Sequence, residues 1–254
     1  MKSVLLTIDL EEFVWPIEHR RKINKKKLFE ISYQGLNNLL FGFNEPITFF
    51  STIEFAKEYP EKIKALIKQG HEIGIHGKSH INPLSNLKEE KASLEKQLNC
   101  KFYGFRSPKF SKIPLGILKE AGFKYDSSIH PRIFSNQFFQ KRSIKKQNDI
   151  IRIPVSVTPL LRLPISWIWF RNFGLEYVKF CTGRILSSSD YLMIYFHPWD
   201  FYDLSEMDTS YFYKKNTGNK AKKMLNLYIA WLKTKDVRFL TVKEYLDKFT
   251  LQPF

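Results

Sequence analysis

Apolar residues recur along the chain in short uninterrupted runs, separated by longer stretches in which apolar and polar positions alternate with helical spacing. The runs predict strands at Val4 to Ile8, Ile47 to Phe50, Glu72 to Ile75, Phe102 to Phe105, Ile150 to Val157, Tyr191 to Phe196 and Arg238 to Leu240. The amphipathic stretches predict helices at Lys26 to Leu40, Thr52 to Gln69, Leu84 to Leu98, Pro114 to Ala121, Leu175 to Leu186, Lys220 to Lys233 and Val242 to Lys248. Strands that each lead into a helix imply a parallel α/β fold. No repeat or low-complexity linker divides residues 1–254, which read as a single domain.

One segment departs from this alternation. Residues 154–173 read PVSVTPLLRLPISWIWFRNF, apolar and aromatic, yet broken by Pro154, Pro159 and Pro164 and carrying Arg162 and Arg171. These forbid a membrane-spanning helix, which needs about 20 apolar residues. Two readings stand: an insertion packed on the body of the fold, or a surface element whose Trp167, Trp169 and Phe170 meet lipid or sugar while its arginines meet anionic headgroups.

The chemistry gathers where the strands stop. LTIDLEE puts Asp9, Glu11 and Glu12 at the end of the first apolar run, the end at which α/β sheets and barrels bind ligands. A solvated acidic turn is the plain alternative. GHEIGIHGKSH brings His76 and His80, four residues apart, just past Ile73 and Ile75, so a tightly wound turn aims both imidazoles at one point. Two histidines and one carboxylate leave open positions on a metal, as hydrolysis by an activated water requires. GFRSPKF places Arg106 after its strand, where a guanidinium can hold a carboxylate ionised, and MIYFHPWD places His197 where an imidazole can donate a proton. Taken singly, Arg106 could be a structural salt-bridge partner and His197 an ordinary strand-end residue.

Composition narrows the class. Hydrophobic residues make up 43% and aromatics 16%, enough for a large core, so disorder is excluded. The formal charge is +16, with clusters at Arg20 to Lys22, Lys25 to Lys27, Lys141 and Arg142, Lys145 and Lys146, Lys214 and Lys215, and Lys222 and Lys223. Such a field suits an acidic glycan or an anionic membrane face, or simply a lysine-rich solvated surface. No nucleic-acid-binding signature accompanies it, so no nucleic acid partner is expected. MKSVLLTID lacks a signal-peptide core, and Cys100 and Cys181 have no metal spacing, so Met1 is read as the true start of a cytoplasmic protein.

TIDLEE, HEIGIHGKSH, GFRSPKFS, YDSSIHP, IPVS and IYFHPWD, in this order across residues 7–200, resemble the polysaccharide deacetylase family, the NodB-like carbohydrate esterases, in the variety whose first motif is Asp-x-Glu. The resemblance implies a distorted (β/α)7 barrel and metal-dependent removal of an N-acetyl or similar N-acyl group from an amino sugar of a glycan or glycan precursor. By similarity Asp9 matches the general base, Glu11, His76 and His80 the metal ligands, Arg106 the brace on the base, and His197 the general acid. Asp126 falls near the motif whose acid orients the catalytic histidine. Leu10 stands where many members have the metal-binding aspartate, which moves that role to Glu11, or to Glu12 if the turn is rearranged. In a strand, residues 9 and 11 share a face and residue 12 turns away. The expected metal is zinc, with cobalt, nickel or manganese as alternatives, and the expected substrate is an N-acetylated glycan, lipid-linked or free, in surface polysaccharide biosynthesis. Two rivals use the same residues: an idle glycan-binding or membrane-adaptor protein on this fold, and a non-haem iron enzyme built on the same triad.

Overall fold

The computed structural model describes residues 1–21 and 24–250, so Lys22 of the first basic cluster lies outside the described residues. Its centre is β1 (Lys2–Leu10), buried along almost its whole length. One face carries Leu5, Thr7 and Asp9, and Leu5 packs among Phe50, Tyr125, Met193 and Tyr195. The other carries Val4, Leu6, Ile8 and Leu10 into a larger cluster shared with the helices. A strand covered on both faces reads as an unbroken apolar run, which is why this element is so plain in the sequence.

The remaining strands are β2 (Ile47–Ser51), β3 (Glu72–Ile75), β4 (Gly104–Phe105), β5 (Tyr125–Asp126), β6 (Lys145–Gln147), β7 (Ile150–Arg152), β8 (Tyr191–Phe196) and β9 (Val237–Phe239). The sheet runs β6-β7-β5-β4-β3-β2-β1-β8, with β9 beside the start of β1, and every pairing is parallel except β6 with β7. Strands β1, β2, β3, β4, β5, β7 and β8 form the seven-stranded parallel barrel wall. Between β7 and β8 there is no ladder. Ser156 bridges that seam, its N–H donating to the Met193 carbonyl at 3.1 Å and its hydroxyl accepting from the Met193 N–H at 2.9 Å. The barrel is therefore distorted at one identifiable place.

Ten helices lie among the described residues: α1 (Trp15–Glu18), α2 (Lys25–Leu40), α3 (Ile53–Glu58), α4 (Pro60–Lys68), α5 (Leu87–Leu98), α6 (Leu115–Glu120), α7 (Trp167–Leu186), α8 (Tyr211–Lys214), α9 (Asn219–Lys233) and α10 (Val242–Thr250). The start of α10 closes the barrel floor. Val242 N–H donates to Thr48 Oγ1 at 2.8 Å and Lys243 N–H to Glu72 Oε2 at 2.9 Å, while Tyr125 Oη donates to Glu72 Oε1 at 2.7 Å. Burial holds Glu72 above the ordinary carboxylate value although these donors oppose it. Gly104 makes this crossing possible, since a Cβ there would stand 2.1 Å from the Tyr125 ring. With that end sealed, the C-terminal ends of the strands form the mouth.

Several predicted elements differ. Thr52 to Gln69 is two helices, because Pro60 has no N–H to donate and Tyr59 before it leaves the helical region (φ −127, ψ 58). β4 and β7 are shorter than their apolar runs, and β5, only two residues long, had no run to announce it. Of the two readings of segment 154–173, packing on the body of the fold holds at Phe170 and Arg171. From Trp167 the segment is the opening of α7, interrupted at Gly174 (φ 83), with Phe170 and Arg171 completely buried. Neither residue can meet lipid, which removes them from the membrane reading. No helix among the described residues is long and apolar enough to cross a membrane.

Candidate active site

Every residue singled out at a strand end arrives at the same end of the barrel. Asp9 closes β1 with Glu11 and Glu12 just beyond it, His76 and His80 follow β3, Arg106 follows β4, Asp126 ends β5, and His197 follows β8. All are at least nine-tenths buried. Charged groups buried to this degree persist only where partners compensate their lost hydration.

Asp9 and Arg106 form the innermost pair. Arg106 Nη1 donates to Asp9 Oδ1 at 2.7 Å and to Thr7 Oγ1 at 2.8 Å, and its Nη2 donates to Ser127 Oγ at 3.0 Å. The guanidinium carbon lies 4.2 Å from the centre of the Phe50 ring. Burial alone would raise the Asp9 pKa, but Arg106, then His76 and His197, outweigh it and hold the carboxyl below its ordinary value. Asp9 is thus a fixed carboxylate able to accept a proton.

The second cluster is Glu11, His76 and His80. The turn that carries the imidazoles is not helical. It bends at Gly77 (φ 79), where a Cβ would lie 2.6 Å from Pro83. Glu11 Oε2 stands 2.9 Å from His80 Nδ1 and 3.7 Å from His76 Nε2. Ligand atoms on a tetrahedral ion with bonds of about 2.0–2.1 Å are roughly 3.3 Å apart, a separation that these two distances bracket. As the side chains lie, His80 Nε2 also contacts Glu18 Oε1 at 3.1 Å, and among the described residues no three His, Cys, Asp or Glu side chains are grouped so that they could hold a metal ion without moving. Burial disfavours charge on His80, but Glu11 and Glu18 overcome it and push its pKa up to about 10. A cation entering here would displace the His80 proton. His76, by contrast, is pressed by burial below its ordinary value, and its Nδ1 has no partner. Two imidazoles and a carboxylate are nonetheless residue types that bind divalent cations, here engaged with one another.

Glu12 is not a surface residue. It is buried, its Oε2 lacks a partner, and burial followed by Glu11 raises its pKa to about 7. Asp126 is not brought to His197 either. Its carboxylate accepts from Arg152 Nε at 3.0 Å and from the Ser128 N–H at 2.9 Å. The acid beside His197 is Asp200, whose Oδ2 accepts the His197 N–H at 2.8 Å and lies 3.8 Å from His197 Nδ1. Asp200 in turn pairs with Arg171 Nε at 2.7 Å. Burial would raise Asp200, but Arg171 and then His197 keep it below its ordinary value. The imidazole stacks on Trp199 (4.3 Å, 11°) and meets the edge of Trp167 (4.6 Å, 77°). Sequence reasoning missed Asp200, although HPWD placed an acid three residues after the histidine, a capping spacing.

His130, in the YDSSIHP stretch, is buried against Phe110 and Tyr195 with neither ring nitrogen partnered. Burial, then Arg132 and Arg106, hold its pKa well below the ordinary value. The unfolded chain thus binds a proton here that the folded chain does not, and stability falls as the pH drops below about 6.5. In urea unfolding, His130→Phe should remove up to about 1.4 kcal/mol per pH unit of that acid slope. An unchanged slope would place the loss elsewhere, for example at half-buried His71, which burial also lowers.

Fold and site together define a seven-stranded α/β barrel with a polar, largely buried centre at its open mouth. Residues 30–102 match the polysaccharide deacetylase family model, and residues 128–247 match a domain of unknown function, DUF3473. Over 110 residues the chain is 34% identical to a peptidoglycan deacetylase of Helicobacter pylori, a match covering 39% of this chain and 38% of that protein. The probable polysaccharide deacetylase of Pseudomonas aeruginosa PAO1 superposes with a TM-score of 0.69 at 16% identity, covering 99% of this chain and 92% of that one. A family 4 acetyl xylan esterase of Clostridium thermocellum, solved with a cobalt ion, gives 0.51 at 14% identity over 99% and 93%. At such identities these two structures speak for the fold. The matches thus point to the polysaccharide deacetylases, over residues 30–102 by the family model and over nearly the whole chain by fold.

Proposed function

We propose that this protein is a metal-dependent hydrolase that removes an N-acetyl or similar N-acyl group from an amino sugar, with residues 1–254 acting as one catalytic domain. The observation that carries this is the convergence, in one buried mouth, of an ionised carboxylate (Asp9), a set of cation donors (Glu11, His76, His80) and an imidazole (His197). The cobalt ion in the acetyl xylan esterase of this fold supports the metal. Zinc is the expected ion, since two imidazoles and one carboxylate leave a position open.

When bound, the ion supplies acidity to the attacking water and polarises the amide carbonyl. Asp9 takes the water's proton, and Arg106 holds that carboxylate ionised and aimed. His197, stacked on Trp199 and tied to Asp200, gives a proton to the departing amine, which leaves poorly without it. Trp167, half-buried with its edge on His197, offers apolar surface to the sugar ring. An iron oxygenase would have no use for a fixed base and a proton donor, and an idle adaptor would have no reason to keep both buried. The charge of +16 supports an anionic setting, an acidic glycan or the inner membrane face, with lipid-linked or nucleotide-linked precursors of surface polysaccharide as substrates.

Metal analysis of purified protein, with mass spectrometry of acetylated sugars for loss of the acetyl mass, tests this. Wild type should carry about one equivalent of a divalent ion, and His76→Ala and His80→Ala should lose it along with activity. Equal metal content in both folded variants would sink the ligand assignment.

A further inference from the structure

The unladdered seam between β7 and β8 opens on the barrel flank into a recess of about 440 Å³. It lies beside Tyr191, the first residue of β8, whereas His197 follows the last. Six residues of strand set the two roughly 20 Å apart. The recess is within the size range of small-molecule sites.

Its rim is unusual in charge. Lys141, Arg142 and Arg162 all line it, and among the described residues none of the three forms an ion pair with a carboxylate. The acid of the lining, Asp190, is engaged by Lys2 Nζ at 2.8 Å. Arg142 Nη1 donates to the Val157 carbonyl at 3.3 Å and Arg162 Nη1 to the Gln140 carbonyl at 2.7 Å. Each guanidinium carries five N–H donors, so most of each fork is uncommitted. The fold holds the second arginine in place deliberately enough to give it a left-handed backbone (φ 52) and a ring, Phe138, beneath its guanidinium at 5.1 Å. Burial and the charge of Arg142 both press on Arg162, which marks the two as repelling neighbours. Like charges held together on a recess whose one acid is engaged by Lys2 are compensated when an anion enters. Behind them Ile185, Tyr191 and Tyr245 offer apolar wall, interspersed with serines such as Ser156 and Ser188.

We propose that this seam recess binds a phosphorylated ligand, with the phosphate between Arg142 and Arg162, Lys141 at the rim, and the organic part against the apolar wall. A phosphate dianion matches three cations better than a single carboxylate does, and forked guanidiniums bind phosphate oxygens two at a time. This site is separate from the proposed reaction at the barrel mouth and does not depend on it.

Calorimetric titration of the intact protein with inorganic phosphate and glucosamine 1-phosphate, each against sodium chloride of equal ionic strength, tests the proposal. Wild type should bind phosphate saturably and the sugar phosphate more tightly. Arg142→Ala with Arg162→Ala should weaken both by roughly ten- to a hundredfold per arginine, whereas the charge-matched Lys96→Ala with Lys223→Ala should leave both unchanged. Should the double variant misfold, Arg162→Gln alone must show the weakening, since its guanidinium bonds only one carbonyl. No response beyond that of chloride, or full binding in the folded arginine variants, overturns the proposal. Binding to phosphatidylglycerol vesicles that falls in the arginine variants, with no advantage for the sugar phosphate, would assign the phosphate to a lipid headgroup and overturn the soluble ligand.

Discussion

Asp9→Asn should lower turnover by about 10² to 10⁴ while leaving metal content near that of wild type, because the proposed ligands Glu11, His76 and His80 are untouched and only the proton acceptor is gone. The variant also tests the ion pair. Asn keeps an oxygen for Arg106 Nη1, now 2.7 Å from Asp9 Oδ1, but leaves the buried guanidinium without its counter-charge. The folded-state pKa of Asp9 lies below its ordinary value, so its contribution to stability is present above about pH 3.9 and is lost as the pH falls through the folded value. Asp9→Asn should therefore flatten the acid limb of the stability curve as well as stop turnover. If it instead empties the metal site while Glu11→Ala leaves it filled, base and ligand are exchanged.

Arg171→Met should cost about 3–5 kcal/mol in urea unfolding, among the largest losses expected from any substitution outside the barrel centre. Arg171 and Asp200 are both fully buried, and removing the guanidinium leaves a carboxylate without compensation. Burial would then win, raising Asp200 from its lowered value and loosening its hold on the His197 N–H. Turnover should fall with stability, and Arg171→Met with Asp200→Asn should recover more stability than activity. A single variant within about 1 kcal/mol of wild type would show that the pair is not a stability requirement.

The parallel α/β alternation was legible because β1, β2, β3 and β8 are covered on both faces and so appear as continuous apolar runs. The gathering of polar residues at their ends was equally legible, since Asp9, Glu11, His76, His80, Arg106 and His197 follow those runs at the end where barrels place their mouths. Two-residue β5 left no such trace. A segment that short is fixed by its neighbours, here β4 and β7, and not by its own pattern.

What the sequence alone determined was which residues stand at strand ends and which share a strand face, for these follow from the two-residue period of a strand and the apolar demand of a covered sheet. Only the tertiary structure decided their partners. Asp126 turned to Arg152, His80 came to lie between Glu11 and Glu18, and the acid behind His197 proved to be Asp200, held by an arginine from a segment whose sequence left surface and packed readings both open. The aromatic run around Trp167 went the same way, because a stretch rich in rings and arginines is equally at home on lipid or in a core. Whether a buried counter-charge waits for it depends on chain brought together from far apart, as Arg171 and Asp200 are, and local periodicity carries no record of that.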